Sequence, residues 1–475
     1  MFETRAKIVC TLGPSSNDYE TIKKLLNAGM KVARLNLSHG SHADHIQVIS
    51  HIRRASEDLN QPVAILMDLQ GPKIRVGRFK GGEAQLEEGR PFTITNREME
   101  GTSEIVSTTY TKLPGDVRIG DTILMDDGLL ALRVERKNET DVVCTVEVGG
   151  LLKNNKGINL PGVPLSVESL SAKDREDLDL AIRENLDYVA MSFVRHPNDI
   201  TTLRALMKEK GKVIPIVAKI EKPEALTHID AIIDVTDAIM VARGDLGVEI
   251  PAEEVPAIQK RIIHRCNHVG KPVITATQML DSMVSNARPT RAEASDVANA
   301  ILDGTDAVML SAETASGKYP IEAVSTMNRI IRATELSLDE DTHFHRFRRW
   351  SGELHFNAGI AISACTLSEQ VDARAIACIT GTGAMAQAIA KHRPVKPIFA
   401  ISHSQDVLRR LCLVWGIEGI IANDLSDNID EAVLQVESIL VKQGCLNIGD
   451  KCVLTAGLPF AEHKATNMVR VDLVL

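Results

Sequence analysis

Aromatic residues are scarce in this 475-residue chain, at 3% of positions, with two tryptophans and four tyrosines. A core with so few rings must rest on Val, Ile, Leu, Ala and Met. That usage suits a parallel α/β protein and counts against a β-sandwich or a surface that stacks nucleic-acid bases. The chain also lacks an excess of positive charge. Its formal net charge is −9, which argues against nucleic acid or an anionic membrane as the main partner, although a local cluster of bases could still hold a phosphorylated small molecule. No C-x-x-C pair occurs, and Cys10, Cys144, Cys266, Cys365, Cys378, Cys412, Cys445 and Cys452 are scattered. Such spacing fits reduced, buried thiols better than a disulfide framework or a zinc set. No apolar stretch approaches membrane-spanning length, and Met1 leads within a few residues into a strand-like run at 6–12 without a signal-type leader. A cytoplasmic protein is expected.

What is present is a regular alternation. Hydrophobic residues make up 44% and charged residues 25%, the balance of a globular protein, and the length exceeds what one core serves, so two or three domains are expected. Short β-branched runs recur at 6–12, 31–36, 63–68, 187–193, 213–220, 237–242, 272–277 and 306–311. Most are apolar on both faces, as strands covered on both sides are. Helical patterns at 19–28, 174–185, 254–269 and 291–302 lie between them. Eight strands alternating with helices indicate a (β/α)8 TIM barrel; a doubly wound open sheet shares the local pattern, and the strand count favours the barrel.

The alternation breaks once. Between Asp68 and Asp187 the chain becomes glycine-punctuated and nearer to period two: 122–125, then Asp126-Asp127-Gly128, then 130–134 and 142–148. These read as hairpins. The fold expected is therefore α/β: a barrel from 1–70 and 165–340, a small all-β domain (a β-barrel lid) inserted at 71–164, and a C-terminal α/β domain at 341–475. The insertion replaces one βα loop, on the face of a barrel that carries active sites. A helix is expected at 321–338, and the charged stretch 339–349 reads as a solvated linker. Beyond it, helices at 357–369, 384–392, 405–415 and 429–443 alternate with strands at 373–380, 397–402, 417–422, 451–456 and near 469–474.

Residues two apart on a strand point the same way, and barrel enzymes place working groups at the carboxyl ends of strands. In that phase the second strand offers Arg34, Asn36 and Ser38, and the third Asp68. The fifth gives Lys219 and Glu221, the sixth Arg243-Gly244-Asp245, the seventh Thr275 and Thr277, and the eighth Ser311 and Glu313. One such pair would be read as a structural ion pair. So many polar strand ends are hard to explain by packing, because burying them is costly unless ions or ligands satisfy them. Glu221 and Asp245 are hard oxygen ligands suited to an openly coordinated Mg²⁺ or Mn²⁺. A glycosidase-type acid–base pair is the alternative, and the adjacent Lys219 favours phosphoryl charge neutralisation instead. Gly244 lets a ligand approach the backbone closely, and a helix beginning there would favour a carboxylate or phosphate. His39, His42 and His45 are spaced by three, but no cysteine or helix-spaced glutamate completes a zinc set, so a solvated helix start is expected.

Seven segments resemble the pyruvate kinase family: RLNLSHG at 34–40, DLQGPKIR at 68–75, NKGINLPG at 155–162, IPIVAKIEKPEAL at 214–226, MVARGDLGVE at 240–249, ITATQM at 274–279 and RPTRAE at 288–293. The likeness is specific from 6 to about 333 and weaker beyond, and it is to a bacterial short form without an N-terminal extension. The resemblance implies transfer of the phosphoryl group of phosphoenolpyruvate to ADP in the last step of glycolysis, by a cytoplasmic homotetramer with no nucleic-acid or membrane partner. It implies Lys219 on the transferring phosphoryl group, Glu221 and Asp245 on Mg²⁺, and Gly244, Asp245 and Thr277 on the carboxylate and enolate. Arg34 falls on the phosphate, and Arg75 and Lys156, with Asn36 and His39, fall on ADP or ATP. Thr277 is a good binding group and a poor acid by itself.

The family's potassium site falls on Asn36, Ser38, Asp68 and Leu69. Potassium-dependent members carry a glutamate where Lys73 stands, and Leu69 replaces a threonine. An ammonium on a flexible stem can stand where a monovalent cation would, so Lys73 is expected to replace K⁺. The segment 381–386 imitates a G-x-G-x-x-A fingerprint, but the next strand ends at Ser402-His403 without the acidic residue that grips a ribose. The family places a phosphorylated allosteric activator there, on Thr380, Thr382 and Gly383. Ala384 and Met385 stand where relatives carry polar groups, which counts against fructose bisphosphate and leaves the effector open. Two other readings compete. A barrel lyase or aldolase would need no nucleotide lid, and a catalytically dead regulatory protein would not need Lys219, Glu221, Asp245 and Thr277 intact.

Overall fold

The computed structural model describes residues 4–338, 356–458 and 465–475. Eight parallel strands, Lys7–Leu12, Met30–Asn36, Ala64–Asp68, Tyr188–Met191, Ile216–Ile220, Ala238–Ala242, Val273–Ala276 and Ala307–Leu310, close into a barrel in sequence order. The first strand meets the eighth with Lys7 opposite Ala307 and Cys10 opposite Leu310. The strands are apolar on both sides for two different reasons. Val9, Val32, Leu66, Ala190, Val217, Met240, Ile274 and Met309 fill the barrel interior. Their neighbours Ile8, Ala33, Ile65, Val189, Ala218, Ile239, Val273 and Val308 pack under the helices. Several strands are shorter than their apolar runs. The run at 213–220 enters the ladder only at Ile216, because Pro215 has no N–H to give.

Helix starts follow their caps. Ser41 with Asp44, Ser171 with Asp174 and Thr290 with Glu293 form reciprocal capping boxes, each satisfying two otherwise orphaned N–H groups. The last barrel helix, Pro320–Leu336, ends close to where expected. The stretch 339–349 lies outside the described residues.

Between the third and fourth barrel strands lies the inserted unit. Thr122–Met125, Leu130–Lys137, Asp141–Val148, Pro91–Thr95, Ile105–Ser107 and Ile158–Asn159 form a six-stranded sheet, and Glu83–Leu86 pairs with Gly150–Lys153 as a separate ribbon. The edge strands Ile105–Ser107 and Ile158–Asn159 span only three and two residues. Residues 74–77 bridge the two edges of the six-stranded sheet: Arg75 pairs with Gly157 beside Ile158–Asn159, and Val76 pairs with Thr108 beside Ile105–Ser107, so backbone pairing continues from one edge to the other. The unit has its own core of Phe92, Ile94, Val106, Ile123, Leu132 and Val134. Asp126, Asp127 and Gly128 all have positive φ, the backbone a tight hairpin turn demands.

The C-terminal domain is a five-stranded sheet in the order Ile417–Ile421, Ile398–Ser402, Ala375–Ile379, Lys451–Ala456, Met468–Leu473, with the last strand antiparallel. The helix expected at 405–415 stops at Leu411. Cys412 and Leu413 then turn into the barrel interior cluster, with Leu413 fully buried. This domain therefore stoppers the amino-terminal mouth of the barrel. Polar ties surround the stopper. The Tyr188 hydroxyl donates to the Arg410 carbonyl at 2.7 Å, Asp187 lies between Arg53 and Arg409 at 2.9 and 2.8 Å, and Glu418 lies between Lys7 and Lys31 at 3.0 and 2.9 Å.

Candidate active site

The inward phase of the barrel strands delivers one polar group after another to the carboxyl end. Arg34 donates from Nε to Asp68 Oδ2 at 2.8 Å and from Nη1 to Thr11 Oγ1 at 2.8 Å. Lys219 Nζ lies 2.8 Å from Glu221 Oε1 and 3.3 Å from Asp68 Oδ1, and it donates to Ser192 Oγ at 2.8 Å. Ser192 in turn donates to the Leu69 carbonyl at 2.7 Å, and the Phe193 N–H donates to Glu221 Oε2 at 2.7 Å. Two cations and two carboxylates thus share a buried knot, and no member of it is left without an opposite charge.

The electrostatics follow from burial and neighbours. Burial works against the charge on Asp68, yet Lys219 and Arg34 hold its carboxyl below the usual range. Burial likewise opposes the Lys219 ammonium, but Asp68 and Glu221 outweigh it and raise its pKa. Glu221 goes the other way: burial raises its pKa, Lys219 pulls it down, and nearby Asp245 adds a like-charge push upward.

The sixth strand runs straight into the short helix Arg243–Glu249. Arg243 is structural, bonded to the Ala276 and Thr277 carbonyls at 3.2 and 2.8 Å and paired with Asp296 at 2.7 Å. Gly244 donates its N–H to Thr277 Oγ1 at 2.7 Å, and that hydroxyl donates to the Ala276 carbonyl at 2.6 Å. The Asp245 carboxylate makes no hydrogen bond or ion pair among the described residues. A partnerless carboxylate beside a buried one whose pKa is raised is a donor set that a divalent cation would satisfy. Among the described residues no cluster of three His, Cys, Asp or Glu side chains could hold a metal, so any such ion would complete its shell with water and substrate oxygens.

The seventh strand corrects the expected phase. Ile274 and Ala276 point inward, so Thr275 faces the helices and donates to Thr305 at 3.0 Å. Thr277 reaches the site by leaving strand geometry: it has φ 69° and Gln278 φ 54°. A β-branched residue at positive φ is strained, by roughly 1–3 kcal/mol, and such strain persists where the surroundings enforce it. Glu313 is also not part of the knot. It accepts from the Ser311 and Leu280 N–H groups at 2.7 and 3.1 Å and so staples two loops.

The remaining predicted residues lie further out. Asn36 Oδ1 accepts from the Ser38 N–H at 3.1 Å. The His45 ring meets the carbonyl of the exposed His39 at 2.9 Å, while the His42 ring is 2.7 Å from Asp177, so the three imidazoles do not converge on one site. Arg75 donates to the Asn155 carbonyl at 2.9 Å and Lys156 pairs with Asp126 at 2.7 Å, both on the inserted unit. Lys73 lines a cleft between that unit and the barrel, with Asp245, Lys222 and Asn159. Among the described residues no hydrogen bond or ion pair joins Lys73 to Asn36, Ser38 or Asp68. In the C-terminal domain, Thr380 lines a cavity of about 300 Å³ with Ser402, His403 and Asn423. Gly383 lies outside that lining, at the start of helix Ala384–Lys391, and donates its N–H to Thr380 Oγ1 at 2.9 Å; Thr382 does not line it either.

Sequence reasoning missed Thr11 and Ser192, which close the knot from the first and fourth strands. Both stand in the inward phase at strand ends, so the same period-two rule finds them. It also missed the Phe193 amide and the Lys222–Glu249 pair, which no local pattern marks.

A family model described as the barrel domain of pyruvate kinase matches residues 3–324, and one described as its alpha/beta domain matches residues 358–472. The chain belongs to the pyruvate kinase family. It is 46% identical to the pyruvate kinase of Geobacillus stearothermophilus over 99% of this chain and 80% of that one. Against the Staphylococcus aureus (strain MRSA252) pyruvate kinase it is 45% identical, with the same coverage. A crystal structure of a pyruvate kinase from Cryptosporidium parvum superposes with a TM-score of 0.94 at 36% identity, covering 100% of this chain and 97% of the other. The reaction of a pyruvate kinase is the glycolytic transfer of the phosphoryl group from phosphoenolpyruvate to ADP, yielding pyruvate and ATP. No helix among the described residues is long and apolar enough to cross a membrane.

Proposed function

We propose that the knot around Lys219 is the phosphoryl-transfer centre, with roles divided by the position of each side chain. Lys219 neutralises the phosphoryl group in transit and Arg34 holds the phosphate of phosphoenolpyruvate. The carboxylate and enolate rest against Gly244, Asp245 and Thr277. Arg75 and Lys156, with Asn36 and His39, receive the nucleotide. Glu221 and Asp245 would hold Mg²⁺ or Mn²⁺, which when bound supplies Lewis-acid charge neutralisation to the phosphoryl oxygens. What carries this reading is the Lys219 ammonium, held 2.8 Å from Glu221 inside the barrel mouth with its charge reinforced by Asp68. Two polyanions reach bonding distance only where concentrated positive charge and a water-poor cleft make it tolerable.

The division of the chain follows the same reading: 1–70 and 165–340 as catalytic barrel, 71–164 as nucleotide lid and 341–475 as regulatory domain. The enzyme works as a cytoplasmic homotetramer, and a phosphorylated activator binds at the cavity of Thr380, with Thr382 and Gly383 as its further contacts. Lys73 takes the part of K⁺ for the positions of Asn36, Ser38, Asp68 and Leu69. An assay with phosphoenolpyruvate, ADP and Mg²⁺, coupled through lactate dehydrogenase, tests both levels. Turnover in KCl and in tetramethylammonium chloride is expected to agree within about twofold. Loss of turnover in the second salt removes the Lys73 proposal alone. No oxidation of NADH in either salt removes the reading as a whole, in favour of a lyase or a non-catalytic relative.

A further inference from the structure

One buried ionic group lies beside the phosphoryl-transfer knot without belonging to it. Glu249 Oε1 accepts from Lys222 Nζ at 2.6 Å and from Asn159 Nδ2 at 2.8 Å. Lys222 directly follows Glu221 on the fifth-strand loop. Glu249 ends the helix that carries Gly244 and Asp245, and Asn159 lies on the last strand of the inserted unit. A single carboxylate oxygen therefore joins both carriers of the proposed metal carboxylates to the lid.

Two further observations favour a working joint over a packing detail. Glu249 Oε2 is buried with no hydrogen-bond partner among the described residues. The large majority of buried side-chain polar atoms have a hydrogen-bond partner, so an orphaned carboxylate oxygen calls for an explanation, a functional role among them. The lid also approaches the same helix at a second point, where a Cβ placed on Gly128 would come within 3.6 Å of the Val248 side chain. Gly128 belongs to the turn whose Asp126 orients Lys156 at 2.7 Å. Helix Arg243–Glu249 thus carries Asp245 near one end and bears the lid at the other.

We propose that Glu249 is a positioning residue that seats the lid on the Asp245 helix through Asn159, fixing the nucleotide-binding groups of the lid relative to the metal carboxylates. The inference rests on the roles given above to Lys156 and Asp245. The test is an exchange of the two groups in the full-length enzyme. Asn159→Asp opposes two carboxylates. It is expected to raise KM for ADP about tenfold, the order of one charge-assisted hydrogen bond, while KM for phosphoenolpyruvate stays within about twofold and Tm holds. Adding Glu249→Gln restores a donor–acceptor pair in the reverse sense and leaves Lys222 facing the carboxylate introduced on the lid, so most of the ADP effect is expected to disappear. Asn159→Ala, which introduces no charge, should give a smaller shift in the same direction. Equal shifts in both KM values, or no recovery in the double variant, overturn the latch. Lys156→Ala is the comparison: if it weakens ADP while both Asn159 variants leave ADP unchanged, the latch fails and the nucleotide reading stands. If Lys156→Ala leaves KM for ADP unchanged, that reading itself fails.

Discussion

Lys219 is the residue on which both charge balance and chemistry turn. Its ammonium faces Asp68 and Glu221, both almost completely buried, so its removal has two separable consequences. Replacing it with Met leaves two carboxylates with Arg34 as the remaining cation in the knot, and breaking a buried ionic group by removing one partner costs about 3–5 kcal/mol. The same change removes charge from the path of the phosphoryl group, for which a loss of about 10²–10³ in kcat is expected, with a smaller change in KM for phosphoenolpyruvate. The two can be told apart by measuring kcat well below the new Tm. A Lys219→Met enzyme that keeps more than about a tenth of wild-type kcat under those conditions counts against the assigned role. Thr277 illustrates a different limit. Its position at a strand end was legible, but the period-two phase that pointed it inward was wrong, and it enters the site only through its positive φ. Positive φ at a β-branched residue is set by surroundings, and no local propensity predicts it.

At the scale of elements, legibility depended on how far a pattern reaches along the chain. Period-two phase is local, and it correctly pointed Arg34, Asp68 and Lys219 into the barrel. The partners that each of them finds across the barrel depend on closure, which is why Asp68 read as a cation-site position and not as the shared counter-ion of Lys219 and Arg34. The helix expected at 405–415 ended early for a tertiary reason, since Leu413 is needed as a wedge in the barrel interior. Nearby, nothing in the local pattern set Glu418 apart from an ordinary strand residue. Burial alone would raise its pKa, yet Lys7 and Lys31 hold its carboxyl down at about 2 from an ordinary 4.5. A folded-state pKa below the unfolded one stabilises above the unfolded value, and the contribution is lost as pH falls toward the folded value. By linkage it is on the order of 3 kcal/mol at neutral pH. Glu418→Gln should therefore lower the urea midpoint at pH 7, and its deficit against wild type should shrink as pH falls from about 4.5 toward about 2. A deficit that stays constant down to the acid limit would show that the pair does not anchor the C-terminal domain.

At the scale of the whole molecule, the two appendages of the barrel are attached in opposite ways. The lid joins at a pair of neighbouring chain crossings, marked by the bridge between Arg75 and Gly157, and buries its apolar residues in a core of its own. The C-terminal domain instead completes a core that belongs to the barrel, by placing Cys412 and Leu413 among the inward residues of the strands. It also supplies partners to the buried Lys7, Asp187 and Asp306. Removing the lid between Arg75 and Gly157 with a short glycine link should leave a barrel that still melts cooperatively, while ATP formation is lost with Lys156. Ending the chain after Leu338 should do the reverse. It opens a cavity where Leu413 sat, at about 2–5 kcal/mol for that side chain alone, and strands buried charges at about 3–5 kcal/mol for each broken pair. Those losses together reach the whole stability of a typical domain, about 5–15 kcal/mol. The truncated barrel should therefore lack a cooperative transition by circular dichroism and elute as aggregate. If it melted near the wild-type temperature, the C-terminal domain would be a passenger on the barrel and not its stopper.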